Sequence, residues 1–208
     1  SLLSLLILVA QLFAQGPNNS GTYYKNASGQ KGKALKTALF KIISTHKDIG
    51  YSGLYACYEK TDKRADGKVC DMYSNTTNFS FSDNTGNYKK EGDMYNREHS
   101  VPQSWFEEAS PMKADIVHVV PTDGYVNNRR SSYPFGETSK PTYTSNNGFS
   151  KVGPSSVEGY SGTVFEPNDE YKGDFARIYF YMATCYEDKI AGWVSNGTAS
   201  TVLNGTSY

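Results

Sequence analysis

Glu98 and His99 stand side by side in the run Arg97-Glu98-His99-Ser100-Val101-Pro102, and Asn127 follows in Tyr125-Val126-Asn127-Asn128-Arg129-Arg130. An imidazole, a carboxylate and a carboxamide together suit the hydrolysis of a phosphodiester. That reaction needs a base to deprotonate water and a cation to neutralise the charge that builds on the phosphate and the departing oxygen. His99 can be the base, because the ordinary pKa of histidine lies near neutrality and leaves a neutral ring available. Glu98 and Asn127 offer one anionic and one neutral hard oxygen. Such a pair suits Mg2+, with Mn2+ or Ca2+ as alternatives, since Mg2+ takes few protein ligands and keeps most of its waters.

These roles depend on the backbone beneath them. Consecutive side chains on a strand point to opposite faces, so Glu98 and His99 diverge unless a bend at Ser100-Val101-Pro102 turns them toward one phosphate. Asp115–Val120 reads as a second strand ended by Pro121. Thr122 or Asp123 can cap the helix that follows, which puts Asn127 in its first turns, near the strand end. The unit predicted is strand, loop, strand, helix.

Elsewhere, Gly32–His46 has apolar residues at Leu35, Leu39, Ile42 and Ile43 with lysines opposite, which predicts a helix that His46 closes as a favourable C-terminal cation. Residues 49–96 are rich in Gly, Asn, Asp and Tyr and predict loops with short strands at Val69–Tyr73 and Asn78–Phe81. Tyr171–Ile190 returns to helical spacing, with Phe175, Ile178, Tyr179 and Met182 on one side. The fold class predicted is α+β, with mixed helices and short strands.

Lys+Arg and Asp+Glu both number 21, so no global charge advertises nucleic acid as a partner, and any basic surface has to be local. Leu2–Ala14 is an apolar run of signal-peptide length, too short to span a bilayer comfortably. Residues 1–15 therefore read as a signal-peptide remnant, and 16–208 as one domain of a secreted protein, extracellular or periplasmic, without a membrane part. Cys57 and Cys70 flank a polar loop and can pair, whereas Cys185 sits in an aromatic helical run and is expected to be buried. The cysteine and histidine spacings match no zinc pattern.

The blocks REHSVPQSW, DIVHVVPTDGYVNNRRSSYPFGE and VFEPNDEYKGDFARIYFYMATCYED, together with Tyr23-Tyr24 and VCDMYS, resemble the endonuclease I family of bacterial secreted or periplasmic nucleases. The resemblance covers most of the chain after about Tyr23, with its blocks in order. It implies a ββα-metal (His-Me finger) core in which His99 is the general base and Glu98 and Asn127 bind the metal directly. It also implies cleavage of DNA, and of RNA too, with little sequence preference, leaving 5′-phosphate and 3′-hydroxyl ends; separately, a monomer is expected. Arg130 matches a basic position after the ligand asparagine, where it either holds a phosphate or braces the helix. The chain departs from the family pattern at Val117 and His118. It also has no arginine between His99 and Asp115, where Lys113 is the stand-in for a phosphate-steadying cation. Two other readings stay open: a non-catalytic extracellular binding module, and a phosphodiesterase acting on a small molecule.

Overall fold

The computed structural model describes residues 21–203. The apolar run Leu2–Ala14, and with it the signal-peptide reading, lies outside them. The described residues divide into two compact units between Thr45 and His46. In the first, helix α1 (Gly32–Ile43) carries the predicted apolar stripe, and it ends before His46. The second mixes helices with two small antiparallel sheets, the α+β class expected.

Strands β1 (Tyr95–His99) and β2 (Val119–Asp123) pair antiparallel, with Tyr95 opposite Asp123 and His99 opposite Val119. Helix α3 (Gly124–Arg130) follows β2 without a loop. Asp123 caps it, its Oδ1 accepting from the Val126 amide at 2.8 Å while Oδ2 accepts from the Gly92 amide at 2.7 Å.

Pro121 sits within β2 rather than after it. The ladder contains bonds from Gly124 N to Met94 O and from Ser100 N to His118 O. Bonded and non-bonded pairs alternate along antiparallel strands, so Arg97 and Pro121 meet at a non-bonded pair. An N–H at Pro121 would have pointed away from β1, and a proline there breaks no ladder bond. The start of the strand also differs from expectation. Asp115 Oδ1 accepts from the Val117 amide at 3.0 Å and Asp115 O from the Val119 amide, so residues 115–118 turn before the strand begins.

The hairpin is buried on both faces. Tyr95 and Val119 pack with Leu54, Tyr58, Val69 and Phe79, the first two of these from helix α2 (Leu54–Thr61). On the other face Val120 joins Tyr73, Val126, Phe165, Phe175 and Ile178. Phe165 belongs to the sheet of β3 (Tyr143–Thr144), β4 (Lys151–Pro154) and β5 (Thr163–Glu166), and Phe175 and Ile178 to helix α4 (Asp169–Cys185). Each fully buried aromatic or aliphatic side chain of this kind contributes about 1.5–3 kcal/mol. A short helix, α5 (Ala199–Val202), follows.

The strands expected at Val69–Tyr73 and Asn78–Phe81 do not form. Only Val69 N to Phe79 O and a single bridge between Lys63 and Val69 remain of them. Asp71 explains the interruption: its carboxylate accepts from the Tyr73 amide at 2.9 Å and from Thr77 Oγ1 at 2.8 Å, and such local bonds compete with a ladder. Cys57 and Cys70 are not joined in a disulfide, and Cys185 is buried as expected.

Candidate active site

Alternation along β1 separates Glu98 from His99, as anticipated. His99 shares its face with Arg97 and Tyr95, and is 6% exposed. Its ring stacks on Tyr51 at 5.7 Å between centroids and lies 3.1 Å, through Nε2, from the Lys113 carbonyl oxygen. A carbonyl only accepts, so Nε2 carries the hydrogen and the lone pair of the neutral ring resides on Nδ1. Burial, then the neighbouring His118, pushes the His99 pKa down to about 3, which keeps the ring neutral at physiological pH.

Arg97 fills the rest of this face. Its guanidinium lies 3.6 Å over Tyr51 and 4.4 Å over Tyr55, and donates to the Tyr51 carbonyl at 2.9 Å. Tyr51 is therefore wedged between an arginine and the candidate base.

On the opposite face Glu98 is 2% exposed. Its Oε1 accepts from the Tyr73 hydroxyl at 2.6 Å and pairs with an Arg130 nitrogen at 2.7 Å. Burial pushes the Glu98 carboxyl above its usual range against the pull of those two donors. Arg130, on the last turn of α3, is 1% exposed and also donates to the carbonyls of His99 at 2.8 Å and Ser100 at 2.7 Å. Of its two predicted roles, bracing is the one the geometry displays: Arg130 ties α3 to the end of β1. Tyr179 of α4 adds a third bond there, its hydroxyl donating to Ser100 O at 3.1 Å.

Asn127 meets the Glu98 face through Asn96. Its Nδ2 donates to Asn96 Oδ1 at 2.7 Å, which leaves the Asn127 carbonyl oxygen as the atom available to a cation. Asn96 and Glu98 are two residues apart on one strand face, about 7 Å along the chain. Glu98 is held through Oε1, so its second oxygen is the remaining donor. A carboxylate oxygen and an amide oxygen on adjacent elements fit a hard divalent ion that completes its shell with water.

Lys113 contributes its backbone. Its ammonium pairs with Glu108 at 2.5 Å, while its carbonyl holds His99. His118 is fully buried, its Nε2 donating to the Met112 carbonyl at 2.6 Å, and Val117 is an exposed turn residue. Arg177 pairs with Asp174 at the surface. His46 lies beyond the end of α1 and faces Asp115.

Sequence reasoning missed Tyr73, Asn96 and Tyr51. Asn96 was accessible, because strand alternation puts it on the Glu98 face. Tyr73 reaches the site from an irregular segment and Tyr51 from the single 3-10 turn Tyr51–Gly53 before α2, neither long enough for a periodicity to reveal.

The Endonuclease I family matches residues 31–208. The chain is 38% identical over 170 residues to an extracellular ribonuclease of Bacillus amyloliquefaciens, covering 80% of this chain and 54% of that protein. It is 35% identical over 173 residues to an extracellular ribonuclease of Bacillus subtilis (strain 168), covering 81% and 55%. It thus spans about half the length of these curated relatives. No solved structure matches. The chain belongs to the endonuclease I family.

Proposed function

We propose that this chain is a secreted, metal-dependent endonuclease acting on RNA and DNA with little sequence preference, and that β1, β2 and α3 form its ββα-metal core. The observation that carries the reading is the donor set. A carboxylate oxygen of Glu98 and the amide oxygen of Asn127 are left for a cation, and the next residue on the strand is a histidine whose Nε2 is tied to a carbonyl. Membership of the endonuclease I family supports it, as does the name ribonuclease borne by both relatives, which makes RNA the first substrate to try.

In the mechanism that follows, His99 takes a proton from water at Nδ1 and the water oxygen attacks phosphorus. The bond from phosphorus to the 3′ oxygen breaks, the departing oxygen takes a proton from solvent water while His99 returns its own to solvent, and a 3′-hydroxyl and a 5′-phosphate result. Lys113 supplies the carbonyl that fixes the His99 tautomer, and the Tyr51 ring limits its rotation. Glu98 and Asn127 would hold Mg2+, which supplies charge neutralisation at the phosphate and the departing oxygen. Tyr73 and Arg130 orient Glu98 by occupying Oε1, which leaves its other oxygen for the ion. Of the predicted cations, Lys113 acts through its backbone and Arg130 through Glu98. Neither touches the phosphate.

Single-stranded RNA and plasmid DNA incubated with the chain in Mg2+, in EDTA and with His99→Ala provide the test. Cleavage is expected with Mg2+, none with EDTA and almost none with the variant. If folded wild type cuts neither substrate, the chain is not a nuclease; if His99→Ala cuts at the wild-type rate, the assignment of the base is wrong.

A further inference from the structure

A second constellation lies among residues the nuclease mechanism does not use. His46 follows the end of α1, Asp115 opens the turn before β2, and Cys185 is the last residue of α4. One ring nitrogen, one carboxylate oxygen and the sulfur lie within 4.8 Å of one another. His46 Nδ1 is 3.7 Å from Cys185 Sγ, and Nε2 is 3.8 Å from Asp115 Oδ2. A tetrahedral zinc site with bonds of about 2.0–2.3 Å has ligand-to-ligand edges of about 3.3–3.8 Å, so a small closure of the three side chains completes one.

We propose that His46, Asp115 and Cys185 bind a divalent cation of the zinc type, at a site built from none of the residues assigned to catalysis. Three observations support it. The Asp115 side chain is 3% exposed, yet no lysine or arginine pairs with it among the described residues; its one ionic neighbour is His46. Buried carboxylates are normally compensated by a cation. Next, the carboxylate is already oriented, as supporting bonds orient metal ligands: Oδ2 accepts from the hydroxyls of Tyr186 at 2.6 Å and Tyr181 at 2.9 Å, and Oδ1 from the Val117 amide at 3.0 Å. Finally, one sulfur, one imidazole and one carboxylate select zinc over Mg2+ or Ca2+, which favour oxygen ligands alone.

On binding, Cys185 releases its thiol proton to solvent and coordinates as the thiolate, and one His46 nitrogen donates its lone pair. The 26% exposed His46 side chain marks the open side, where water is the fourth ligand. A cysteine nucleophile activated by histidine and aspartate would use similar contacts, but Cys185 is 1% exposed and no substrate reaches its sulfur. The ion would staple the turn at Asp115 to α4, two residues from the carbonyl that holds His99.

Cobalt(II) added to the metal-stripped full chain is the probe. One equivalent is expected to give a sulfur-to-cobalt charge-transfer absorption that zinc abolishes and excess Mg2+ leaves in place. His46→Ala and Cys185→Ser are expected to weaken cobalt binding at least tenfold, the first at a partly exposed position where folding is not at stake. Glu98→Gln and Asn127→Ala should keep the absorption, so this site and the nuclease reading stand or fall separately. Absence of the band in folded wild type, or its survival in Cys185→Ser, overturns the proposal.

Discussion

At the scale of single residues, the candidate base is defined less by its type than by what surrounds it. Replacing His99 with Ala is expected to lower the cleavage rate on the order of 10²–10⁴-fold, the usual contribution of a positioned base. Its protonation gives an independent check. Burial holds the folded pKa of His99 at about 3 and that of His118 at about 4, both below the unfolded value. Each therefore favours the folded state fully above the unfolded pKa, and that contribution is lost as pH falls from there toward the folded values. In NMR titrations the ring signals of these two histidines should stay unshifted between pH 8 and 6; a His99 that titrates near the ordinary value would refute this account of its environment. Tyr73→Phe removes a donor from the buried Glu98 carboxylate, for a loss of about 1.5–3 kcal/mol in urea unfolding. Arg130→Met leaves that charge uncompensated and is expected to cost more, about 3–5 kcal/mol. If the two variants were equally stable to wild type, the clamp on Glu98 would have no energetic content.

At the scale of elements, the hairpin and α3 place their chemistry through register and capping. Asp123→Ala removes the cap of α3 and its bond to Gly92, so a loss of about 0.5–2 kcal/mol is expected from thermal unfolding. Weaker Mg2+ binding should accompany it, because the first turns of α3 carry Asn127. Much of this unit was legible in the sequence: the apolar run before Pro121, a cap at Thr122 or Asp123, which the structure assigns to Asp123, and the strand alternation that divides Glu98 from His99. The boundaries of β2 were not. An Asp115 side chain that binds its own backbone cannot be told from a strand residue by hydropathy, and Pro121 looks like a terminator until its partner is known to be Arg97 at a non-bonded pair. The role of Arg130 was readable only as two alternatives, since nothing local to α3 reveals that its guanidinium crosses to the carbonyls of β1. Tyr73 enters from a segment whose course is set by Asp71 and Thr77, outside the reach of any period.

Across the whole molecule the charge balance becomes specific. With 21 basic and 21 acidic residues, attraction to a polyanion has to come from where the cations sit. Arg97 and Arg130 flank the site but are committed to Tyr51 and Glu98. Arg129 is exposed on α3 two positions from Asn127, lies over Tyr125 and Tyr143 and donates to the Tyr125 hydroxyl. Arg129→Ala is expected to weaken RNA binding and to reduce the slope of log affinity against log salt by about 1. An unaltered slope would place the phosphate contact elsewhere, on the lysines outside this unit.

The outer side of β2 has a consequence for how the protein behaves among other chains. Unpaired strand edges offer rows of donors and acceptors on which foreign strands can grow. Here the Val119 amide is taken by Asp115, the Val119 carbonyl accepts from the Tyr58 hydroxyl at 2.9 Å, and at Pro121 the next outward donor does not exist. A third strand approaching from that side finds no ladder to extend. The β2 edge of the hairpin that carries Glu98 and His99 is thus shielded from edge-to-edge association, and Pro121 keeps it from becoming a template for aggregation.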